Sequence, residues 1–98
     1  MDLKEQLRAD LTTAMRGHDT QRRDVLRMLL AAIQQTEVDS RVQLDDAGVQ
    51  DVLRRQIKQR QESIADFMRA GRAEEVARET AEAELIASYL PQMMSREE

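Results

Sequence analysis

Apolar residues recur at spacings of three and four along most of this chain, and this periodicity restricts the fold more than any other feature. Leu3, Leu7 and Leu11 form the first such stripe. Side chains at these spacings share one side of an α-helix, whereas a half-buried strand needs strict alternation. Only Phe67 and Tyr89 are aromatic among 98 residues, and strands favour aromatic and β-branched side chains. We therefore predict an all-α domain.

Three glycines and one proline divide the pattern into four predicted helices. The predicted helices run from about Asp2 to Arg16, from an N-cap at Asp19 to about Val38, from an N-cap at Asp45 to Ala70, and from about Ala73 to Leu90. Gly17 is expected to end the first helix with a positive φ. The link Gly71–Arg72 has two residues, so helices 3 and 4 must form a tight antiparallel hairpin. We predict a four-helix, bundle-like domain over residues 1–91.

The last seven residues predict the start of another element. "SREE", Ser95 to Glu98, has the Ser-x-x-Glu pattern of a capping box, which opens a helix. We expect residues 92–98 to begin a linker or helix that leads to a C-terminal tail domain absent from this sequence, with a frayed tail as the alternative.

Basic side chains form two pairs, each spanning one helical turn. Arg23 and Arg27 lie in predicted helix 2, and Arg54 and Lys58 lie in predicted helix 3. Like charges at this spacing repel one another. If the two helices lie side by side, the four cations are suited to bracketing phosphates. No aromatic residue is interleaved for base stacking, so we predict contact with a nucleic-acid backbone without sequence specificity.

The alternative interpretation of these cations is a solvated helix face with local ion pairs. Arg55 is one turn from Asp51, and Lys58 is one turn from Glu62. The net charge of −4 gives no whole-protein attraction to nucleic acid. The acidic excess belongs to residues 73–98, however, so a local basic site in the middle of the chain is compatible with it.

Arg60 occupies a position where an apolar residue is expected, between Ile57 and Ile64 on the inward stripe of helix 3. A buried guanidinium without a partner is very unfavourable. The hairpin places helix 4 opposite it, near Glu79 and Glu82. We predict a structural ion pair from Arg60 to one of these two glutamates, with a ligand anchor as the alternative.

The sequence predicts no catalytic residue, metal site or cofactor. His18 is the only histidine and there is no cysteine, which excludes a Ser-His-Asp triad, thiol catalysis and metal sites built on Cys or His. There is no Gly-rich phosphate loop, and the glutamates of helix 4 lack the Glu-x-x-His spacing of bundle metal sites. The absence of cysteine, of a signal peptide and of a membrane-length apolar run gives the expectation of a cytoplasmic protein without a membrane partner.

Three segments together resemble the GatB/YqeY family, specifically its stand-alone YqeY-like proteins. They are "DVLRMLLAAIQQTEV" (24–38), "IKQRQESIADFMRAGR" (57–72) and "EAELIASYLPQMMSREE" (82–98). The resemblance implies a helical bundle joined to a smaller tail domain, similar to the C-terminal region of the B subunit of the tRNA-dependent amidotransferase, which helps hold tRNA. It also implies a label of carbon–nitrogen ligase activity with glutamine as amide donor, inherited from the parent enzyme. The residues carried over are Lys58, Gln59, Arg60, Arg72, Tyr89, Leu90 and Pro91.

These observations favour a non-catalytic accessory domain that contacts tRNA or another RNA. Arg23, Arg27, Arg54 and Lys58 are the expected phosphate contacts. The alternative is a protein-interaction module without a nucleic-acid role, in which helix 4 or the Met93–Met94 end docks a partner. An autonomous enzyme is the third and least favoured possibility.

Overall fold

The computed structural model describes residues 1–91, which form four α-helices. The helices are α1 (Leu3–Arg16), α2 (Thr20–Ser40), α3 (Asp46–Arg69) and α4 (Ala73–Ala87). The described range contains no strand. The prediction of an all-α, bundle-like domain is confirmed. The predictions made for Met93–Met94 and for Ser95–Glu98 lie outside the described residues.

Three helices begin at an aspartate whose side chain accepts a hydrogen bond from the backbone three residues later. The acceptors are Asp2, Asp19 and Asp45, and the donating N–H groups belong to Glu5 at 2.8 Å, Arg22 at 3.1 Å and Gly48 at 2.9 Å. Each cap satisfies one of the N–H groups that a helix start leaves without an internal partner. The N-caps predicted at Asp19 and Asp45 are confirmed.

The turn between α1 and α2 corrects the expectation for Gly17. Its φ is −86°, and the left-handed residue is His18, with φ 56°. The His18 N–H donates to the Met15 carbonyl at 3.3 Å, and the Asp19 N–H donates to the Ala14 carbonyl at 2.9 Å. This is the Schellman pattern, with the left-handed position one residue later than the glycine.

The turn between α3 and α4 has the same pattern with glycine in the left-handed position. Gly71 has φ 71°. Its N–H donates to the Met68 carbonyl at 3.1 Å, and the Arg72 N–H donates to the Phe67 carbonyl at 2.9 Å. The Arg72 guanidinium lies 5.9 Å from the centroid of the Phe67 ring, and its side chain pairs with Glu75. The predicted tight hairpin is confirmed.

Gly71→Ala is expected to lower the free energy of unfolding by about 1–2 kcal/mol. In the left-handed conformation, the alanine β-carbon lies too close to the following carbonyl oxygen. A β-carbon on Gly71 would meet no atom of a more distant residue within 4 Å, so the cost is confined to the backbone. His18→Gly should have the opposite effect, since it removes this close approach from the other turn. Urea unfolding measures both changes, with Gly17→Ala as the control, because Gly17 has a negative φ. Equal stabilities for the three variants would contradict this account of the turns.

Two helix ends differ from the sequence prediction. α2 continues to Ser40 instead of Val38, and α4 ends at Ala87 instead of Leu90. The N–H groups of Tyr89 and Leu90 donate to carbonyls three residues earlier, at 3.1 and 3.0 Å. Hydrogen bonds with this spacing are typical of a 3₁₀ turn, which is wound more tightly than an α-helix. The helical backbone therefore tightens just before Pro91.

The core joins α1, α2 and the first half of α3. Its buried residues are Leu3, Leu7, Ala14, Val25, Leu26, Leu29, Ile33, Val49, Val52, Leu53 and Ile86. No polar or charged residue is buried within residues 1–91. α2 packs against all three other helices. No described residue between Leu53 and Ile86 is fully buried. The part of the α3–α4 hairpin nearest its turn therefore lies outside the core.

Candidate nucleic-acid interface

Arg60 lies between α3 and α4, with most of its hydrogen-bonding capacity satisfied. Its Nε is 3.3 Å from Oε1 of Glu82, and the two side chains are 15% and 18% exposed. Its Nη1 donates to the backbone carbonyl of Gln56 at 3.2 Å and to the Gln56 side chain at 3.1 Å. Its Nη2 is 3.9 Å from the sulfur of Met28 on α2. The guanidinium is therefore held inside the protein by three helices.

Glu79, the other partner predicted for Arg60, has a different neighbour. Its Oε2 lies 3.5 Å from Nη2 of Arg78 on the same helix. Since Glu82 lies one turn further from the hairpin turn, the register of the two helices places it opposite Arg60. Arg60 is thus paired with Glu82 inside the hairpin, with 15% of its side chain exposed.

Arg54 and Lys58 lie on the exposed side of α3, opposite the buried Leu53. Nη1 of Arg54 is 3.1 Å from Oδ1 of Asp51, and both side chains are more than half exposed. The expectation that Arg55 pairs with this aspartate is therefore corrected. Lys58 forms no ion pair within residues 1–91, so the expected Lys58–Glu62 pair is absent there. Exposed ion pairs contribute about 0–1 kcal/mol, which leaves Arg54 accessible to a competing anion.

Arg23 and Arg27 lie beside the end of α1. Nε and Nη2 of Arg23 are both 2.9 Å from Oδ1 of Asp24. Nη2 of Arg27 lies 3.9 Å from the sulfur of Met15. Both arginines line a cavity of about 140 Å³ that also includes His18. This concave basic surface was not predicted, because the sequence does not reveal how α1 and α2 meet.

The two basic pairs have different surroundings. Arg27 contacts Met15 of α1, whereas Arg54 and Lys58 lie on the exposed side of α3. Within residues 1–91, no hydrogen bond or ion pair involves residues of both pairs. The four residues remain candidate phosphate contacts.

A second set of cations, not predicted from the sequence, lies on the same side of α1 and α2. Lys4 and Arg8 line a cavity of about 310 Å³ together with Glu37. Nζ of Lys4 is 2.6 Å from Oε2 of Glu37, which also accepts the Leu44 N–H at 2.7 Å. The hydrogen bond from Lys4, followed by that from Leu44, lowers the pKa of Glu37. Lys4 and Arg8 are one turn apart, so the spacing rule used for the other pairs would have identified them.

Tyr89, from the "YLP" element, connects the end of the described chain to α1. Its hydroxyl donates to Oδ2 of Asp10 at 2.5 Å. Burial, and next the hydrogen bond to this carboxylate, raise the pKa of Tyr89. The contact holds the turn after α4 against the first helix.

The part of the chain that the structure describes offers no cluster of three or more His, Asp or Glu side chains able to hold a metal ion. None of its helices combines the length and apolar character needed to cross a membrane.

Comparison with known proteins identifies relatives whose sequences align with most of this chain. The protein named "Altered inheritance of mitochondria protein 41, mitochondrial" from Lachancea thermotolerans is 35% identical over 94 residues, which cover 95% of this chain and 50% of the relative. The protein of the same name from Eremothecium gossypii is 37% identical over 90 residues, covering 91% and 49%. The one from Kluyveromyces lactis is 36% identical over 96 residues, covering 94% and 51%. The chain spans about half the length of these curated relatives.

These names correct one expectation. The prediction of a cytoplasmic location is wrong, because the relatives are named as mitochondrial proteins. The names state neither an RNA ligand nor an amide-transfer reaction, so tRNA contact and the carbon–nitrogen ligase label stay predictions.

A family model matches almost the whole length of the sequence. The sequence model described as "Yqey-like protein" matches residues 4–98. That range contains all three of the segments on which the resemblance was based. The chain belongs to the YqeY-like protein family.

Proposed function

We propose that this chain is a non-catalytic accessory domain that contacts the phosphates of tRNA or another RNA. One observation carries the proposal: Arg60 and Lys4 are mostly buried and paired with Glu82 and Glu37, whereas Arg54 and Lys58 lie exposed on α3. Lys58 has no ion pair within residues 1–91, and Arg54 has only the exposed Asp51. Cations arranged in this way are available to a polyanion.

The spacing of the exposed cations supports a polyanionic ligand. Arg54 and Lys58 are one helical turn apart, and like charges at this spacing destabilise a helix by about 0.2–0.5 kcal/mol. A bound phosphate chain relieves that repulsion and releases its own counterions. The repulsion between Arg54 and Lys58 therefore destabilises the free protein slightly and favours the binding of a negatively charged ligand.

The positions of the aromatic residues support contact with the backbone rather than with bases. Phe67 lies beneath Arg72 at 5.9 Å, and the Tyr89 hydroxyl is bonded to Asp10. Proteins that read single strands present exposed aromatic rings on which bases stack. With both rings engaged inside the domain, we expect little sequence preference.

A non-catalytic role fits the chemistry of the described residues. His18, the only imidazole, is exposed in the α1–α2 turn. The proposed contact with phosphates does not require a general base or a nucleophile.

Reversing both charges, with Arg54→Glu and Lys58→Glu together, is expected to weaken tRNA binding by more than about tenfold, because two phosphate contacts become repulsive. The matched control is Arg69→Glu with Arg78→Glu. It makes the same change in net charge at exposed residues nearer the α3–α4 turn, outside the Arg54–Lys58 surface. Filter binding of tRNA to the variants measures the effect. An equal loss of affinity in both double variants would argue against a specific surface.

A protein-interaction module remains the second candidate, and an apolar surface at the hairpin turn favours it. Met68 is 66% exposed and, with Gly71, Ala73 and Val76, lines a groove of about 310 Å³. This candidate gains support if the chain retains no tRNA and instead captures a protein whose binding is lost in Met68→Asp. Retention of tRNA that is unaffected by Met68→Asp favours the RNA role.

A further inference from the structure

The cavity beside the α1–α2 turn is lined by residues that suit it to an anion. Seven residues form its wall: Ala14, Met15, His18, Asp19, Thr20, Arg23 and Arg27. Three of these side chains are basic or can be protonated, and one is acidic. That acid, Asp19, accepts the Arg22 N–H as the cap of α2, so its charge is already engaged by the helix start.

The two arginines of the cavity have hydrogen-bond donors to spare. A guanidinium carries five N–H donors. Within the described residues, the only contact found for the Arg27 guanidinium is the sulfur of Met15, at 3.9 Å, and a thioether is a weak acceptor. Arg23 forms an ion pair with Asp24 through Nε and Nη2, and no hydrogen bond from its Nη1 is found within residues 1–91. Two adjacent cations with unused donors therefore border one concave space.

The number of unused donors favours a phosphate monoester over a phosphate within a nucleic-acid strand. A monoester presents three terminal oxygens and a charge of about −1.5 to −2 at neutral pH. A diester presents two such oxygens and a single charge. Arginine is well matched to this geometry, because its planar fork binds two oxygens at once.

We infer that this cavity binds the phosphoryl group of a phosphate monoester through Arg23 and Arg27. Two sources supply that chemistry: the 5′-phosphate of an RNA, or a small free phosphate ester. The inference deepens the proposed function at the α2 pair and rests on it only for the first source. It does not depend on Arg54 or Lys58.

Titration of the full chain with inorganic phosphate, followed by NMR at constant ionic strength with chloride as the balancing anion, tests the inference. Saturable shifts are expected at the backbone amides of residues 14–27 and at the Arg27 Nε–H. Arg27→Gln should weaken phosphate binding about tenfold, as expected when a charge-assisted contact is lost. Arg16→Gln is the matched control, because it removes the same charge from a neighbouring residue that does not line the cavity, and it should leave binding unchanged. Arg27→Lys keeps the positive charge but removes the planar guanidinium that can bind two phosphate oxygens. It should therefore give an affinity between those of the parent chain and Arg27→Gln.

Shifts no larger with phosphate than with chloride, or equal losses in Arg27→Gln and Arg16→Gln, would overturn the inference. The source is assigned by comparing a 5′-phosphorylated oligoribonucleotide, the same oligonucleotide with a 5′-hydroxyl, and adenosine 5′-monophosphate. Tighter binding of the phosphorylated oligonucleotide than of both others supports an RNA terminus, and equal binding of the two phosphorylated probes supports a small ester. If RNA binding persists without any phosphate effect, the inference fails and the proposed function stands. If phosphate binds but charge reversal at Arg54 and Lys58 leaves RNA binding intact, the inference stands and the RNA surface on α3 does not.

Discussion

Ile86→Ala is expected to lower the free energy of unfolding by about 2–5 kcal/mol, the range for deleting a large aliphatic side chain from a packed core. Ile86 is 0% exposed and is the only fully buried residue of α4. Its loss should therefore weaken the attachment of the whole helix to α2 and α3.

Urea unfolding followed by circular dichroism measures this change. Met68→Ala is the control, because it also shortens a large apolar residue of the hairpin but at a position that is 66% exposed. That variant should stay within about 0.5 kcal/mol of the parent chain. Equal stabilities of the two variants would show that α4 is not anchored through Ile86.

Glu82→Leu is expected to cost about 2–3 kcal/mol, because it leaves the Arg60 charge, 15% exposed, without its counterion. Removing one partner of a fully buried pair costs about 3–5 kcal/mol, and the remaining exposure of this pair lowers the figure. The Arg60→Met, Glu82→Leu double variant should be more stable than the sum of the single changes predicts, by about 1–2 kcal/mol.

Glu79→Leu supplies the control for this cycle, since Glu79 faces Arg78 instead of Arg60. Its effect should add to that of Arg60→Met without coupling. Additive effects at both glutamates would remove the Arg60–Glu82 pair from the account.

Local sequence determined much of the fold. Asp19 and Asp45 cap helices because a short acidic side chain reaches the backbone three residues on, a contact that needs no tertiary structure. The hairpin follows in the same way from a two-residue link. Its register follows too, since Arg60 lies eleven residues before Gly71 and Glu82 eleven after it.

Other features depend on packing between distant segments, which periodicity does not encode. The Tyr89–Asp10 hydrogen bond joins residues 79 apart, and the Lys4–Glu37 pair joins residues 33 apart. The left-handed position in the first turn was assigned to Gly17 from its conformational freedom, but that freedom allows a conformation without requiring it. For the same reason, the sequence showed that the basic pairs existed but not that Arg23 and Arg27 line a cavity beside α1.

Our central proposal is that the fold pairs Arg60 internally and presents Arg23, Arg27, Arg54 and Lys58 to RNA phosphates. Filter-binding titrations of tRNA with the purified chain, from about 50 to about 200 mM salt, test it most directly. If Arg54 and Lys58 each neutralise one phosphate charge, and Arg23 with Arg27 neutralises the roughly two charges of a terminal phosphate, the logarithm of the association constant should fall against the logarithm of salt concentration with a slope of about −3 to −4. No retention of tRNA at the lowest salt, or retention that does not change with salt, would contradict the claim.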